Sequence, residues 1–408
     1  MLVNFKDMLV EPKQLRDILT LRYDSTQKSL LPKITSNDFV PKNNELSLKH
    51  IEKLIDNYIL EKINLNHSKA VSLALSGGVD SSLVLGFIRK TIPELIIHGI
   101  SIKFADSIDE TQTAKKIAEH FEIDHHIVYV ENYLKELPKA ISIIKSPFWD
   151  LHWYYVAKKS KTLSKYLAAG DGGDEIFGGY TFRYKKFLSL TNSTSSPLEK
   201  SKAYLACHER DMVEDQEQIF GEKIPFSWNS IYENISKYFD NSLTNLEQVF
   251  LADYNGKLMY NFSPINHKIN HYFELTPITP LLSSELIRYG IQLDLKQKYD
   301  TEKNIGKIPL QELLKKFNLT SLIPKEKQGF SVNTLNLWKS HGKELCQSYL
   351  SDARIVKDKW INGEWINKHI SRNDLDVKFV NKFLGLLSFE IWYRLFISKE
   401  MKPETSLS

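Results

Sequence analysis

Two short glycine-rich segments carry carboxylates and hydroxyls at spacings that suit phosphate chemistry. The first is 76–82 (SGGVDSS) and the second is 169–180 (AGDGGDEIFGGY). Glycines let a backbone turn tightly and approach a phosphate closely, and the free amides of a helix N-terminus bind anions. Asp80 would repel a phosphate unless a cation lay between them. The first segment therefore predicts a nucleotide-phosphate site that also holds Mg²⁺.

The hydroxyls of the first segment support the same interpretation. Ser76, Ser81 and Ser82 add hydrogen-bond donors for a phosphate. No lysine follows the glycines, so this is not the GxxxxGKS or GxxxxGKT loop, and transfer of a γ-phosphate is disfavoured. An ordinary strand–turn–helix junction is the alternative, but the complete seven-residue pattern in that context favours phosphate binding.

The second segment concentrates negative charge. Asp171, Asp174 and Glu175 lie so close in sequence that they would repel one another without a metal ion or a cationic group nearby. Asp174 together with Asp80 makes a plausible pair of Mg²⁺ ligands. The alternatives are a solvated acidic turn and a calcium loop, and EF-hand spacing is absent.

Strand and helix signals alternate around both segments. Short apolar runs predict strands at 71–75, 95–104, 126–130 and 166–169, and helical periodicity predicts helices at 46–65, 80–90, 109–121 and 377–397. This alternation predicts an α/β fold, a doubly wound parallel sheet with a helical C-terminal part. Ligands of such sheets bind beyond the carboxyl ends of the strands. We therefore expect the two glycine-rich loops to meet over one crevice.

The chain divides into three predicted regions. Residues 1–45 are polar and broken by Pro12, Pro32 and Pro41, which favours an extended lead-in. Residues 46–190 form the predicted nucleotide-binding α/β core. Residues 191–408 form a mainly helical remainder.

Composition narrows the classes of partner. The net charge of +4 over 408 residues is too small to indicate a nucleic-acid partner. No apolar run reaches the roughly 20 residues that span a bilayer, and no signal peptide is evident. Two cysteines without metal-ligand spacing suit a reduced, cytoplasmic protein.

The adjacent His125 and His126 would point to opposite faces of a strand, so a structural role is favoured over a shared metal ion.

Taken together, SGGVDSS and GDGGDEIFGGY resemble the synthetase domain of the asparagine synthetase family, whose pyrophosphate loop is of the ATP pyrophosphatase type. Three further stretches agree: 109–126 (DETQTAKKIAEHFEIDHH), 323–331 (IPKEKQGFS) and the C-terminal LLSFEIWYRLF. The resemblance extends from His50 to Phe396. It implies a PP-loop fold and cleavage of ATP between its α and β phosphates.

Carried onto this sequence, the resemblance implies a set of site residues. The pyrophosphate is held by Ser76, Gly77, Gly78, Asp80 and Ser81. The adenine and ribose are bordered by Ala74, Ile102 and Gly170, with Ala169, where many members have Ser, beside them. Mg²⁺ is held by Asp80 and Asp174. The active-site carboxylate is Asp171 and the catalytic lysine is Lys327.

The activity that this resemblance implies is an ATP-dependent, amide-forming ligation. A carboxylate attacks ATP to give an acyl-adenylate and pyrophosphate, and an amine then displaces AMP. The implied partners are a small-molecule carboxylate and ammonia or an amine. With aspartate and ammonia the product is asparagine.

The sequence departs from the family pattern in two places. Glutamine-dependent members begin with a cysteine nucleophile that heads a glutaminase domain, whereas residue 2 here is Leu2. We expect no glutaminase activity, so the amine comes free or from a separate subunit. The segments 253–257 and 279–283 stand near an Asp-Arg pair and an Arg…Pro…Leu-Asp stretch of the family, but the Asp-Arg pair is absent and Ser283 replaces the aspartate.

These departures keep other functions open. The first alternative is a ligase that makes an amide or lactam on a peptide or specialised metabolite. The second is an RNA-modifying pyrophosphatase, which the weak net charge disfavours. The third is a non-catalytic nucleotide-binding homologue, against which the retained Asp80, Asp174 and Lys327 count.

Overall fold

Five parallel strands form one sheet at the centre of the chain. A computed structural model describes residues 11–39, 46–105, 109, 111–208, 210, 212–324 and 333–408. The strands are β1 (Ala70–Ala74), β2 (Ile96–Phe104), β3 (Asp124–Val130), β4 (Tyr166–Ala168) and β5 (Thr276–Ile278). Their order across the sheet is β3-β2-β1-β4-β5. The carboxyl ends of β1 and β4 are therefore neighbours, although the two strands are far apart in sequence.

Helices cover both faces of the sheet and form most of the C-terminal half. They are α1 (Pro12–Leu21), α2 (Leu48–Lys62), α3 (Val79–Thr91), α4 (Thr111–His120), α5 (Leu137–Ile144), α6 (His152–Ser160), α7 (Gly173–Phe177), α8 (Thr181–Leu190), α9 (Pro197–Ala206), α10 (Trp228–Ser236), α11 (Asn245–Asp253), α12 (Ser263–Tyr272), α13 (Ser284–Gln292), α14 (Leu295–Lys298), α15 (Ile308–Lys315), α16 (Thr334–Leu337), α17 (Lys343–Leu350), α18 (Arg354–Lys357), α19 (Gly363–His369) and α20 (Val377–Phe396). Two π-helical stretches, Tyr254–Phe262 and Trp338–Gly342, extend α11 and α16.

The sheet separates two hydrophobic clusters. On β2, Ile97 belongs to one cluster and Ile100 and Ile102 belong to the other. Successive side chains of a strand point to opposite faces, so a strand covered on both sides is apolar at odd and even positions alike. This burial on both faces explains why β1 and β2 are predominantly apolar at odd and even positions of the sequence.

Local signals explain where the longest helices begin. Ser47 caps α2 by accepting a hydrogen bond from the His50 amide, and Asp376 caps α20 by accepting from the Lys378 amide. Ile51, Ile55 and Ile59 recur every four residues of α2, and all three are fully buried. That spacing places them on one face, and α2 packs against the helices α3, α13 and α15.

The predicted fold class is confirmed: the sheet is parallel, with helices on both faces. Each of the four predicted strands exists, with ends that differ by one or two residues. The fifth strand, β5, was not predicted, because Pro277 lies within it and prolines break the apolar run around it. Proline is tolerated there because β5 is an edge strand that pairs with β4 alone.

The expectation of an extended lead-in is wrong for Pro12–Leu21, which form the helix α1. Pro12 stands at the first helical position, where the missing amide costs nothing, and Glu11 and Gln14 form a capping box. Leu15, Ile18 and Leu19 bury one face of the helix. The predicted boundary between two regions at residue 190 stays a prediction. The sheet includes residues from both sides of that boundary, since β5 follows it in the chain.

No helix within the described ranges is long and apolar enough to cross a membrane.

Candidate active site

The first glycine-rich loop joins β1 to α3. Gly77 adopts a φ of 75°, in the left-handed region that glycine enters without strain. A β-carbon built on Gly77 would lie 3.0 Å from Thr113 Cβ on α4. Gly78 then caps the N-terminus of α3, the end of a helix that attracts anions. The chain thus makes a tight turn against α4 directly before a helix N-terminus.

The three serines of this loop have different surroundings. The Oγ atoms of Ser76 and Ser81 are hydrogen-bonded at 2.9 Å, and the Ser76 amide donates to Ser81 Oγ at 3.2 Å. These bonds fix the shape of the loop. Ser82 is fully buried. Ser76 and Ser81 thus lie side by side in the loop, whereas Ser82 points into the interior, and the binding of phosphate by these serines stays a prediction.

The second glycine-rich loop follows β4 and touches the first. A β-carbon on Gly170 would lie 2.7 Å from Asp80 Cβ and 2.8 Å from the Ser81 amide nitrogen. Only a residue without a side chain fits between these atoms. The expected meeting of the two loops is thus present at their backbones, and it follows from the adjacency of β1 and β4.

The carboxylates of Asp80 and Asp174 both contact the ammonium group of Lys307. No motif in the sequence predicted a role for this lysine. Lys307 Nζ lies 2.5 Å from Asp80 Oδ2 and 2.7 Å from Asp174 Oδ1. The Lys307 side chain is 11% exposed, and those of the two aspartates are 18% and 20% exposed. Burial lowers the pKa of Lys307, but Asp174 and Asp80 outweigh burial and raise it above its usual value. Lys307 is therefore a cation held between the two loops.

The backbone of the second loop positions this lysine. Lys307 precedes α15 and has a φ of 55°, an uncommon conformation for a residue with a side chain. Its amide donates to the Phe177 carbonyl oxygen at 2.9 Å, which ties it to the end of α7. A β-carbon on Gly306 would lie 1.9 Å from the Gly178 carbonyl oxygen, so the two segments are in direct backbone contact.

The donor set of this cluster suits magnesium. Carboxylate oxygens are the protein ligands that Mg²⁺ prefers, and it commonly takes one or two of them together with substrate phosphates. Asp80 and Asp174 approach one cationic point from different loops. An ion of that charge could take the place that the ammonium group of Lys307 fills, so the residues present fit the predicted Mg²⁺.

The three acids of the second loop point to three different partners. Asp174 contacts Lys307, Asp171 accepts a hydrogen bond from Asn266 Nδ2 at 3.1 Å, and Glu175 accepts one from the Tyr180 hydroxyl at 2.6 Å. Burial and, to a lesser extent, the Asp174 charge raise the pKa of Glu175 to about 7. Because Glu175 is buried and bound to Tyr180, its role is to shape the loop.

Asp171 has the properties of an acid–base group. Burial, and secondarily the charge of Asp80, raise the pKa of Asp171 to about 6, and the hydrogen bond from Asn266 opposes that rise. A carboxyl group with a pKa close to the working pH exchanges protons most effectively. Burial thus brings the pKa of Asp171 towards neutrality, while α12 contributes the hydrogen bond from Asn266 that stabilises the charged form.

We predict that Asn266→Ala raises the pKa of Asp171 further, because the amide that stabilises its charged form is lost. If the ionised form is required, the acidic limb of the kcat/KM profile should move to higher pH by about half a unit to one unit. The pH profile of the variant tests this. His267→Ala, on the exposed neighbouring position of α12, should leave the profile unchanged.

The residues predicted for the adenine and ribose border one side of the crevice. Ile102 and Ala169 are buried in the same hydrophobic cluster, and the partly buried Ala74 packs against it. Ala74 ends β1 and Ala169 follows β4, so both lie at carboxyl ends of neighbouring strands. The structure thus brings these three residues to one apolar region beside the glycine-rich loops.

Lys327, the predicted catalytic lysine, lies in 325–332, outside the described residues. Its role stays a prediction. Described residues end at Pro324 and resume at Asn333, which caps α16.

In each of the two segments that depart from the family pattern, one residue has a structural role in this fold. Ser283 Oγ accepts a hydrogen bond from the Leu286 amide and caps α13, a task that serine and aspartate perform equally well. Asp253 is buried, accepts from the Tyr204 hydroxyl at 2.8 Å and pairs with Arg183 at 3.4 Å. Asp253 thus supports the helices beneath the second loop.

Comparison with known proteins gives a consistent family assignment. The family model described as asparagine synthase matches residues 62–394. The glutamine-hydrolyzing asparagine synthetase 1 of Bacillus subtilis (strain 168) is 22% identical over 388 residues, 86% of this chain and 60% of that protein. A candidate glutamine-hydrolyzing asparagine synthetase 2 of Methanocaldococcus jannaschii is 37% identical over 128 residues, 30% of this chain and 25% of that protein.

The chain thus spans at most three fifths of the length of these two relatives. Among solved structures, the NH3-dependent NAD synthetase of Campylobacter jejuni is 15% identical with a TM-score of 0.25, covering 49% of this chain and 100% of that one.

Proposed function

The chain belongs to the asparagine synthase family, and from this we propose that it is an ATP-dependent ligase that adenylates a carboxylate and transfers the acyl group to an amine. The observation that carries the proposal is the convergence of Asp80 and Asp174, from two separate loops, on one cationic position. The pairing gives a triphosphate and its counter-ion one place at the carboxyl ends of β1 and β4.

The first loop binds the phosphates of ATP. The amides at the N-terminus of α3 and the hydroxyls of Ser76 and Ser81 donate to phosphate oxygens. Asp80 and Asp174 would hold Mg²⁺, which would supply positive charge for the pyrophosphate leaving group. The apolar region of Ala74, Ile102 and Ala169 receives the adenine and ribose.

Lys307 has two tasks in this scheme. Without nucleotide, its ammonium group compensates the two carboxylates and keeps the loops together. When a magnesium ion is bound, the same ammonium group lies beside the phosphates and stabilises the charge that develops as pyrophosphate leaves.

Asp171 acts on the second half of the reaction. As a base with a pKa of about 6, it orients the amine and accepts the proton that the amine loses when it attacks the acyl-adenylate. Asn266 positions this carboxylate, because its amide fixes one of the two oxygens.

Aspartate and ammonia are the first substrates to test. A second candidate is formation of an amide or lactam on a peptide or specialised metabolite. The replaced residues in 253–257 and 279–283 favour it, although the capping role of Ser283 and the buried position of Asp253 weaken that argument.

Carboxylate-dependent exchange of labelled pyrophosphate into ATP tests the adenylation step. We expect exchange with Mg·ATP and the correct acid, and none without an acid. If Mg·ATP binds but no acid in a broad panel supports exchange, a non-catalytic nucleotide-binding role takes the place of the ligase.

For Lys327 we predict that replacement by methionine lowers the exchange rate by about a hundredfold, as expected for a cation that acts on a developing phosphate charge. The affinity for Mg·ATP should change far less than the rate. Lys325→Met, two positions earlier in the same segment, is the matched control and should retain most of the activity. Equal loss in both variants would assign the effect to the charge of the segment and not to Lys327.

A further inference from the structure

A second group of possible ligands lies at the opposite end of the sheet from the glycine-rich loops. His98 Nδ1 is 3.3 Å from His126 Nε2 and 3.4 Å from Asp124 Oδ2. One donor atom from each of the three residues lies within 4.8 Å of the other two. They sit near the amino-terminal ends of β2 and β3, whereas the nucleotide site lies beyond the carboxyl ends of β1 and β4.

The register of the two strands produces this convergence. His98 pairs with Asp124 across the parallel ladder, and His126 follows Asp124 by two positions. Side chains two apart on a strand share a face, so all three residues point to the same side of the sheet. His125 points to the other face and is hydrogen-bonded to Ser101 Oγ at 2.8 Å. The partner of His126 is thus His98, not its neighbour in sequence.

Hydrogen bonding alone accounts poorly for these distances. The Nδ1 atom of His98 carries either one proton or one lone pair, yet it faces two polar atoms. Both separations are longer than the 2.9–3.0 Å usual for such bonds. A tetrahedral zinc ion with bonds of about 2.0–2.1 Å holds its ligand atoms about 3.3–3.4 Å apart. The two separations from His98 Nδ1 therefore match the edges of a zinc coordination shell, and the remaining pair of donor atoms lies within 4.8 Å.

The charges suit a dication. The neutral imidazole is the form of histidine that ligates a metal ion, and two of the three side chains are imidazoles. Asp124 supplies the negative charge, and its side chain is 68% exposed. Lys159 is the positive charge that opposes a bound cation there. The exposure of Asp124 leaves room for water as a fourth ligand.

We propose that His98, Asp124 and His126 form a binding site for a divalent late transition metal, with Zn²⁺ as the ion that fits best. Two imidazoles and one carboxylate favour zinc, cobalt or nickel over magnesium. The ion joins the edge strand β3 to β2 and leaves one coordination position open to solvent. The site is separate from the nucleotide site and does not depend on the ligase chemistry.

A metal titration of the metal-free protein tests this. Co²⁺ should bind with one equivalent per chain, produce the visible absorption of a four-coordinate site and be displaced by Zn²⁺. His98→Ala and Asp124→Asn should weaken Zn²⁺ binding by at least about tenfold, since each removes one ligand. Asp124 is exposed, so its replacement leaves the fold intact. Zn²⁺ should also raise the melting temperature of the parent but not of these variants.

Two controls separate this site from other histidines and from the nucleotide site. His125→Ala and Asp80→Asn should both retain the Zn²⁺ affinity of the parent. If His98→Ala and Asp124→Asn bind Zn²⁺ as tightly as the parent, or if the parent binds no Zn²⁺ at micromolar concentrations, the three residues are a hydrogen-bonded cluster and the proposal is overturned. No step of the titration involves ATP turnover, so its outcome is independent of the proposed function.

Discussion

Asp80→Asn is expected to lower carboxylate-dependent pyrophosphate exchange by about a thousandfold, because it removes the charge of a proposed magnesium ligand while keeping the shape of the side chain. Asp80 lies 2.5 Å from Lys307 Nζ and packs against Gly170 of the second loop. Asparagine fills the same space but carries no charge for a cation. The rate constants of exchange for variant and parent, at saturating Mg·ATP, measure the effect.

The fold should survive this change. Lys307 retains Asp174 as a partner at 2.7 Å, so no buried cation is left alone. Asp56→Asn is the matched control, because Asp56 also binds a lysine, Lys90 at 2.8 Å, on the surface away from the loops. A variant Asp80→Asn that kept more than a tenth of the parental rate would remove Asp80 from the proposed metal site.

Lys307→Met is expected to impair both stability and activity. Without the ammonium group, Asp80 and Asp174 lose the cation that they share, and loss of one partner of such a buried pair costs about 3 kcal/mol. The exchange rate should fall by about a hundredfold or more, because a cation beside the phosphates is lost. Chemical denaturation and the exchange assay give the two quantities.

Magnesium provides a diagnostic response in this variant. If Mg²⁺ binds the folded form through Asp80 and Asp174 as proposed, millimolar Mg²⁺ should restore part of the stability lost in Lys307→Met. Lys316→Met, which breaks an exposed ion pair with Glu52, should show neither the loss nor the rescue. A Lys307→Met protein as stable as the parent, with no response to Mg²⁺, would show that the two aspartates do not share one cation position.

Both glycine-rich loops could be predicted because each carries its chemistry in a few consecutive residues. The meeting of the loops could be predicted as well, since parallel strands place their carboxyl ends at one edge. What the sequence did not reveal was which strands are neighbours. The contact between Gly170 and Asp80 depends on the pairing of β1 with β4, which are separated by about ninety residues and two other strands.

The position of Lys307, by contrast, could not be predicted from the sequence. The crowded acids of the second loop indicated that a metal ion or a cationic group must lie nearby. Nothing local marks Lys307 as that group among the many lysines of the chain. Its placement depends on the contact of Gly306 with Gly178 and on the helix start that follows. Such tertiary contacts are not encoded in residue spacing.

Prolines account for two of the errors in secondary structure. Pro12 was interpreted as a break, but at the first turn it favours α1. Pro277 prevented the prediction of β5, because proline is tolerated only in an edge strand and the sequence does not show which strand lies at the edge. The partner of His126 could not be predicted for another reason. It is His98 on the neighbouring strand, and not the adjacent His125.

We propose that the two loops hold one magnesium-bound triphosphate and direct a carboxylate to its α-phosphorus. After incubation with Mg·ATP, aspartate and ammonium, phosphorus NMR identifies the nucleotide and phosphate products, and amino-acid analysis measures asparagine. We expect AMP and pyrophosphate in equal amounts, each matched by one molecule of asparagine. ADP and orthophosphate as the products would contradict it, because they would place the bond cleavage at the γ-phosphate.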